Sequence, residues 1–139
     1  MTMTFTPTIA IHTTFALSAV AIGPLALWSR LRPTQRPRWH RAAGYAWVTC
    51  LLGAALSALF IRSTLPWSVA GWSPIHLLIP LTLAGLFRSF KLLNQGRIQK
   101  HRQIMLFMYG VACLVTGLFT LLPNRLLGQW LWHDMLGVL

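Results

Sequence analysis

Four long apolar runs constrain this chain more than any other feature of its sequence. They extend over about residues 9–28, 42–61, 73–90 and 104–122. Each run is close to the roughly 20 residues that an α-helix needs to cross the hydrocarbon core of a bilayer. A backbone inside lipid must also satisfy its own hydrogen bonds, which a helix does. The runs therefore predict four membrane-spanning helices.

Composition supports a lipid environment and excludes several kinds of catalysis. Hydrophobic residues make up 55% of the chain and charged residues only 9%, with a mean hydropathy of +0.60. A soluble domain of this size needs more charged surface. Asp134 is the only acidic residue. Hydrolysis by paired carboxylates, carboxylate-bound Mg²⁺ chemistry and carboxylate proton relays are therefore excluded.

The positive charge is concentrated beside the apolar runs. The net charge is +11 and the chain has 12 Lys and Arg residues, of which only Arg62 and Arg125 lie outside two clusters. The clusters are Arg30, Arg32, Arg36, Arg38 and Arg41, and Arg88, Lys91, Arg97, Lys100 and Arg102. Basic residues beside spans mark the cytoplasmic side and contact anionic headgroups. This pattern predicts a multi-pass protein of a bacterial inner membrane with both termini outside. It also predicts that the basic residues bind lipid headgroups rather than nucleic acid.

The two halves of the sequence repeat one pattern. Each half has a histidine, an apolar run, a basic segment, a His-Arg pair and a second apolar run, and the histidines are His12, His40, His76 and His101. The basic segment of the second half, KLLNQGRIQKHR at residues 91–102, is predicted to be a loop. Two helices return the chain to its starting side, so the duplicated hairpins should share one orientation around an axis along the membrane normal. The prediction is an all-α membrane four-helix bundle of two parallel-related helical hairpins. His12 would lie near His76 outside, and His40 near His101 inside.

The C-terminal segment is predicted to be a fifth, interfacial helix at about residues 125–137. It places Leu126, Trp130 and Asp134 on one line of a helix and is too short to span a bilayer. We therefore expect it to lie on the outer surface or over the mouth of the bundle. The whole chain, residues 1–139, is predicted to be a single transmembrane domain.

Three segments carry a resemblance to a family of small predicted bacterial membrane proteins of unknown function. They are HRAAGYAWV, KHRQIMLFMYG and FTLLPNRLLG. The similarity covers most of the chain from about residue 36 onward and includes both His-Arg pairs. The resemblance implies a four-helix membrane fold. It implies no catalytic residue, because the family has no settled activity.

The histidine pairs suit haem better than a metal ion, if they bind a cofactor. Each pair offers two neutral imidazoles from different helices, which matches the bis-histidine ligation of haem b between apolar and aromatic walls. Zinc and copper sites usually need a third or fourth ligand. The predicted axial pairs are His12 with His76, and His40 with His101. In this respect the chain resembles the two-haem membrane cytochromes b that oxidise quinols or ascorbate, although its histidines lie closer to the membrane surfaces.

The arginines that follow two of these histidines are a second set of candidate binding residues. Arg41 and Arg102 could pair with haem propionates or with a quinone head group. Basic residues at this depth more often contact lipid phosphates, just as single interfacial histidines are more often structural.

The leading functional hypothesis is a b-type cytochrome that transfers electrons, with a quinol as one possible donor. Two alternatives stay open. One is a non-enzymatic accessory or assembly subunit, acting within a homodimer or a larger membrane complex. The other is a metal-handling or transport protein that uses the same histidines.

Overall fold

The computed structural model describes residues 6–31, 37–62, 68–122 and 126–137. Within these ranges the chain is helical apart from short turns and one isolated bridge between Val69 and Trp72. Arg32 and Arg36 of the first basic cluster, the Pro-Asn-Arg motif at residues 123–125 and both chain termini lie outside the described residues.

Four long helical segments correspond to the four apolar runs. The first two are α1 (Pro7–Leu31) and α2 (Pro37–Ala58). A 3₁₀ turn, Pro74–Leu77, leads directly into α3 (Leu78–Asn94).

The fourth segment runs without a break from Ile98 to Thr120. It consists of α4 (Ile98–Met108), a π-helical stretch (Tyr109–Val115) and α5 (Thr116–Thr120). The C-terminal segment is helical as predicted. It consists of α6 (Leu126–Gln129) and a second π-helical stretch, Trp130–Met135.

Three segments are long and apolar enough to cross a membrane, namely Pro7–Ser29, Pro74–Asn94 and Ile98–Thr120. The described residues of α2 are not apolar enough to meet the same requirement, although the helix has 22 residues. It begins five residues before the predicted apolar run and so includes Arg38 and Arg41. The all-α membrane class is therefore confirmed, with three helices that meet the requirements for spanning.

The connection between α3 and α4 is much shorter than the basic loop that the polar residues predict. Only residues 95–97 separate the two helices. Gly96 has a φ of +71°, its N–H bonds to the Leu93 carbonyl at 3.0 Å, and the Arg97 N–H bonds to the Leu92 carbonyl at 2.9 Å. This is a Schellman helix end with glycine at the left-handed position. Gly96 therefore ends α3, and the change in polarity along the sequence does not mark this helix end. Most of the second basic cluster consequently lies on α3 and α4.

The helices pack as two hairpins. α1 packs along α2, and α3 packs along α4, while the hairpins meet through α2 with α3 and α1 with the π-helical stretch. A buried cluster joins all four segments, and it consists of Ala19, Trp47, Leu51, Leu86, Met108 and Cys113. Large apolar side chains cover the outside, including Phe60 at 77% and Phe87 at 73% exposure. Apolar surface on this scale suits lipid contact.

A Gly-Pro pair in α1 receives the side chain of Tyr109. Pro24 has no backbone N–H, so the carbonyl of Val20, four residues earlier, lacks its helical donor. The Tyr109 hydroxyl donates to that carbonyl at 3.1 Å. Gly23 provides the space, since a Cβ there would overlap ring carbons of Tyr109. The Tyr109 hydrogen bond thus joins the beginning of the π-helical stretch to α1.

Candidate functional site

Both His-Arg histidines line one cavity at the end of the helices where α2 and α4 begin, which we call the basic end. The cavity has a volume of about 110 Å³. Its walls are mainly apolar and aromatic, and they include Arg41, Gly44, Tyr45, Trp47, Phe90 and Tyr109 beside His40 and His101. The structure therefore brings together the two histidines that the repeat predicts to be neighbours.

Each of these histidines occupies the fourth position of its helix and contacts the preceding helix of its own hairpin. His40 Nδ1 lies 2.9 Å from the carbonyl oxygen of Ala26 in α1. His101 Nδ1 lies 3.1 Å from the carbonyl oxygen of Ser89 in α3 and 2.8 Å from the Ser89 hydroxyl. The two halves of the chain thus repeat one interaction, a histidine bonded to the last turns of the helix before it.

The partners of Nδ1 bear on which ring nitrogen carries the proton. The partner of His40 Nδ1 is a carbonyl oxygen, which can only accept, so in the neutral ring Nδ1 donates and Nε2 keeps the unshared electron pair. His101 Nδ1 can donate to the Ser89 carbonyl in the same way, or it can accept from the Ser89 hydroxyl, which is the nearer of the two. Among the described residues neither Nε2 has a hydrogen-bond partner. Metal-binding histidines are commonly oriented by a bond from the other ring nitrogen to a backbone carbonyl. The arrangement can therefore supply two oriented nitrogen ligands or two hydrogen-bond acceptors.

Aromatic rings surround this pair. The Phe90 ring lies 6.4 Å from the His101 ring, and the Trp47 and Tyr109 rings lie 6.4 Å apart at a tilt of 55°. Trp47 is only 4% exposed, and its indole Nε1 has no hydrogen-bond partner of ordinary geometry in the described part of the chain. The nearby Cys113 thiol is a weak acceptor that satisfies it poorly.

The cavity is small but has free space on one side. Gly44 follows His40 by four residues and so shares its helix face, and a Cβ at Gly44 would meet no atom within 4 Å. For comparison, a dry cavity of about 150 Å³ holds one benzene ring. The present volume of about 110 Å³ is about three-quarters of that, so the cavity as it stands is slightly smaller than the space that holds one ring. A larger ligand would occupy the open side beside Gly44 and displace exposed side chains such as Tyr45.

The two candidate arginines differ in position. Arg41 lines the cavity, whereas Arg102 is exposed and is not one of the lining residues. The repeat predicts equivalent roles for them, but only Arg41 is placed to contact a ligand in this cavity.

His12 and His76 have unlike surroundings. His12 Nδ1 lies 2.9 Å from the Ala54 carbonyl oxygen, which leaves its Nε2 free in the same way as in His40. His76 Nε2 donates to the Ile61 carbonyl at 3.0 Å, and its Nδ1 accepts from the Ser73 N–H at 3.1 Å. Both nitrogens of His76 are therefore in use. The hydrogen bonds of His76 indicate that it caps the 3₁₀ turn, and ligation by His12 with His76 stays a prediction.

The ligand groups typical of zinc and copper sites contain three or more side chains. No group of three or more His, Cys, Asp or Glu side chains comes together among the described residues. His133 is exposed, and Cys50 and Cys113 are free thiols within the helices.

A family model described as "Predicted membrane protein (DUF2306)" matches residues 9–127. The chain belongs to this family. The match includes all four apolar runs and the four histidines of the repeat, so the family resemblance is confirmed. The function of the family is unknown. Neither the curated proteins nor the solved structures that were compared contain a match to the chain.

Sequence reasoning missed the role of two small residues at this site. Ser89 is fully buried and contacts His101, and Gly23 makes the space that Tyr109 occupies. The available signal for Ser89 was a hydroxyl in an apolar run, 12 residues before a histidine. The signal for Gly23 was its position directly before Pro24.

Proposed function

We propose that this chain is a four-span electron-transfer protein of a bacterial inner membrane that holds one haem b at its basic end. In this proposal α2 spans the bilayer beside α1, both termini lie outside, and the basic end faces the cytoplasm. The Nε2 atoms of His40 and His101 would hold the haem iron. The basic clusters support this orientation, because such residues remain on the cytoplasmic side.

One observation carries the proposal: two histidines from different helices line one cavity, and both are oriented through Nδ1. His40 is held by Ala26 and His101 by Ser89, in different hairpins. An oriented neutral imidazole is a better ligand than a mobile one, because less freedom is lost on binding. With Nδ1 as the donor, Nε2 of each ring is the nitrogen that a ligand can reach.

The other residues that line the cavity are of the types that can hold a porphyrin, although the cavity must enlarge to contain one. Phe90, Trp47 and Tyr109 provide apolar and aromatic walls. Arg41, at the charged rim, can pair with a propionate. Gly44 leaves space beside His40 in which a flat ring can approach α2.

These contacts indicate which functions the haem and the protein would each supply. Bound haem would supply one-electron redox chemistry, whose potential depends on axial ligands, burial and neighbouring hydrogen bonds. The chain orients the two imidazoles, encloses the ring and provides one compensating cation. A membrane quinol is the donor class that could reach this site from within the bilayer.

The proposal is tested by purifying the protein from haem-sufficient cells and recording oxidised and reduced absorption spectra. We expect a Soret band with low-spin character and about one haem per chain. His40→Ala and His101→Ala should each abolish that low-spin spectrum, since one imidazole leaves the iron five-coordinate. His133→Ala is the matched control, because His133 is exposed at the far end of the chain. Colourless wild-type protein would reject the proposal and favour the accessory-subunit alternative.

The cavity volume favours a second candidate, the binding of a quinol head group at the same place. A void of about 110 Å³ is near the size that holds one six-membered ring. Two free Nε2 atoms can accept hydrogen bonds from the two hydroxyls of a hydroquinone. Quinone that co-purifies with colourless protein and is lost from His40→Ala would select this candidate over haem.

A further inference from the structure

We infer that the open groove between α3 and α4 binds one anionic phospholipid of the leaflet at the basic end. The groove has a volume of about 450 Å³ and is separate from the histidine cavity. Its polar end is formed by Arg88, Lys100 and Gln103, and its apolar end by side chains such as Leu81 and Val111. This inference does not depend on haem binding.

The cations at the polar end have no anionic partner among the described residues. Arg88 and Lys100 are both exposed, and the described residues provide neither with an ion pair or hydrogen bond. The chain has one acidic residue, Asp134, which lies in the C-terminal segment. An anion that neutralises these two cations must therefore come from outside. A lipid phosphate is the abundant anion at this depth, and the Gln103 amide adds a further donor.

The length of the apolar part identifies the ligand as a lipid instead of free phosphate. Arg88, the cation on α3, and Leu78, the lining residue of α3 farthest from it, are 10 residues apart, about 15 Å at a rise of ~1.5 Å per residue. That length is half of a hydrocarbon core of about 30 Å, which is the depth of one leaflet. A phosphate at Arg88 and Lys100 thus places an acyl chain alongside the whole groove.

Small side chains make the groove deep enough for that acyl chain. Ala84, Gly85 and Ala112 line it, and Met108, which is 5% exposed, lies directly against Gly85. Because the chain supplies positive charge and no acid here, the site should prefer phosphatidylglycerol or cardiolipin over a zwitterionic lipid.

The first test compares two charge variants of the full chain in mild detergent, by native mass spectrometry with added lipid. Arg88→Gln/Lys100→Gln removes the cations of the groove, and Lys91→Gln/Arg97→Gln removes the same charge from neighbouring exposed positions outside it. Each cation near a membrane surface contributes roughly fivefold to the binding of anionic lipid, so we expect phosphatidylglycerol to bind about 25-fold more weakly to the first variant. The control should bind like wild type.

Three results of this comparison would overturn the inference. Equal losses in both charge variants would mean that the lipid responds only to net charge. Equal binding of phosphatidylcholine by the wild-type protein would remove the need for the cations. A change in the number of chains per particle on Arg88→Gln/Lys100→Gln, without loss of lipid, would assign the groove to a second copy.

The second test separates a lipid from free phosphate. Ala84→Trp fills the apolar part and keeps both cations, while Leu83→Trp places the same indole ring at an exposed position outside the groove. We expect Ala84→Trp alone to lose phosphatidylglycerol, and excess inorganic phosphate to displace little lipid from wild type. Full displacement by phosphate, or unchanged lipid binding in folded Ala84→Trp, would refute the acyl-chain contact. If Ala84→Trp does not fold, the charge variants decide, because they retain every apolar contact.

Discussion

The hydrogen bond between Tyr109 and the Val20 carbonyl offers a sharp test of how the two hairpins are joined. The carbonyl has no helical donor because residue 24 is proline, and the Tyr109 hydroxyl is 3.1 Å away. Tyr109→Phe keeps the ring and leaves the carbonyl unsatisfied. Such a loss costs about 1–3 kcal/mol for a buried group, and interhelical hydrogen bonds in membrane proteins reach about 1.7 kcal/mol. We expect the free energy of unfolding to fall by about 1–1.5 kcal/mol.

Pro24→Ala should remove most of that loss. An alanine at position 24 supplies the N–H that the helix lacks, so the Val20 carbonyl regains its donor whether or not the tyrosine hydroxyl is present. Tyr109→Phe should then cost only a few tenths of a kcal/mol. The coupling free energy between the two substitutions should be about 1 kcal/mol, which is within the range measured for residues that share a partner.

The assay is denaturant-induced unfolding of the four proteins of this double-mutant cycle in mild detergent, followed by circular dichroism. Tyr45→Phe serves as the control, since Tyr45 is 59% exposed and its substitution should change stability by less than about 0.5 kcal/mol. An equal loss on Tyr109→Phe in both backgrounds would refute the reasoning, because the hydroxyl would then stabilise something other than the orphaned carbonyl.

Three further predictions concern the arrangement of the chain. Reporters fused to the two termini should read as outside and a reporter inserted at Gln95 as inside, and opposite readings at the termini would exclude an even number of spans. Gly96→Ala should destabilise the protein by about 1 kcal/mol in unfolding assays, because Gly96 has a φ of +71°. Gly110→Ala should not destabilise it, because a Cβ at Gly110 has free space around it. Gly23→Ala should cost more than about 1 kcal/mol through overlap with Tyr109, and an unchanged midpoint would contradict this contact.

The sequence alone was sufficient to predict the class of the fold and the placement of two histidines at one end of the helices. Apolar runs of about 20 residues and clusters of basic residues depend only on local composition, so they predict helices and a membrane without any tertiary information. The repeat also placed His40 and His101 together, because equivalent positions in duplicated hairpins recur at equivalent places. Those two residues do line one cavity.

Where each helix ends was less predictable from composition. Polarity at residues 91–102 predicted a long loop, yet Gly96 alone ends α3 and α4 begins two residues later. Long basic side chains can extend from a helix to the headgroups, so charge does not mark a helix end. The Schellman hydrogen bonds, not the polar pattern, determine the boundary.

Only the tertiary structure decided how the histidines differ. In the sequence His76 and His101 look alike, each opening an apolar run, but His76 uses both ring nitrogens at a 3₁₀ turn and His101 keeps Nε2 free. The partners that make this difference, Ile61 and Ser89, are 15 and 12 residues away from their histidines. Whether a ring nitrogen is free depends on which carbonyl group the packing brings within hydrogen-bond distance. That distance is not encoded in the spacing of residue types.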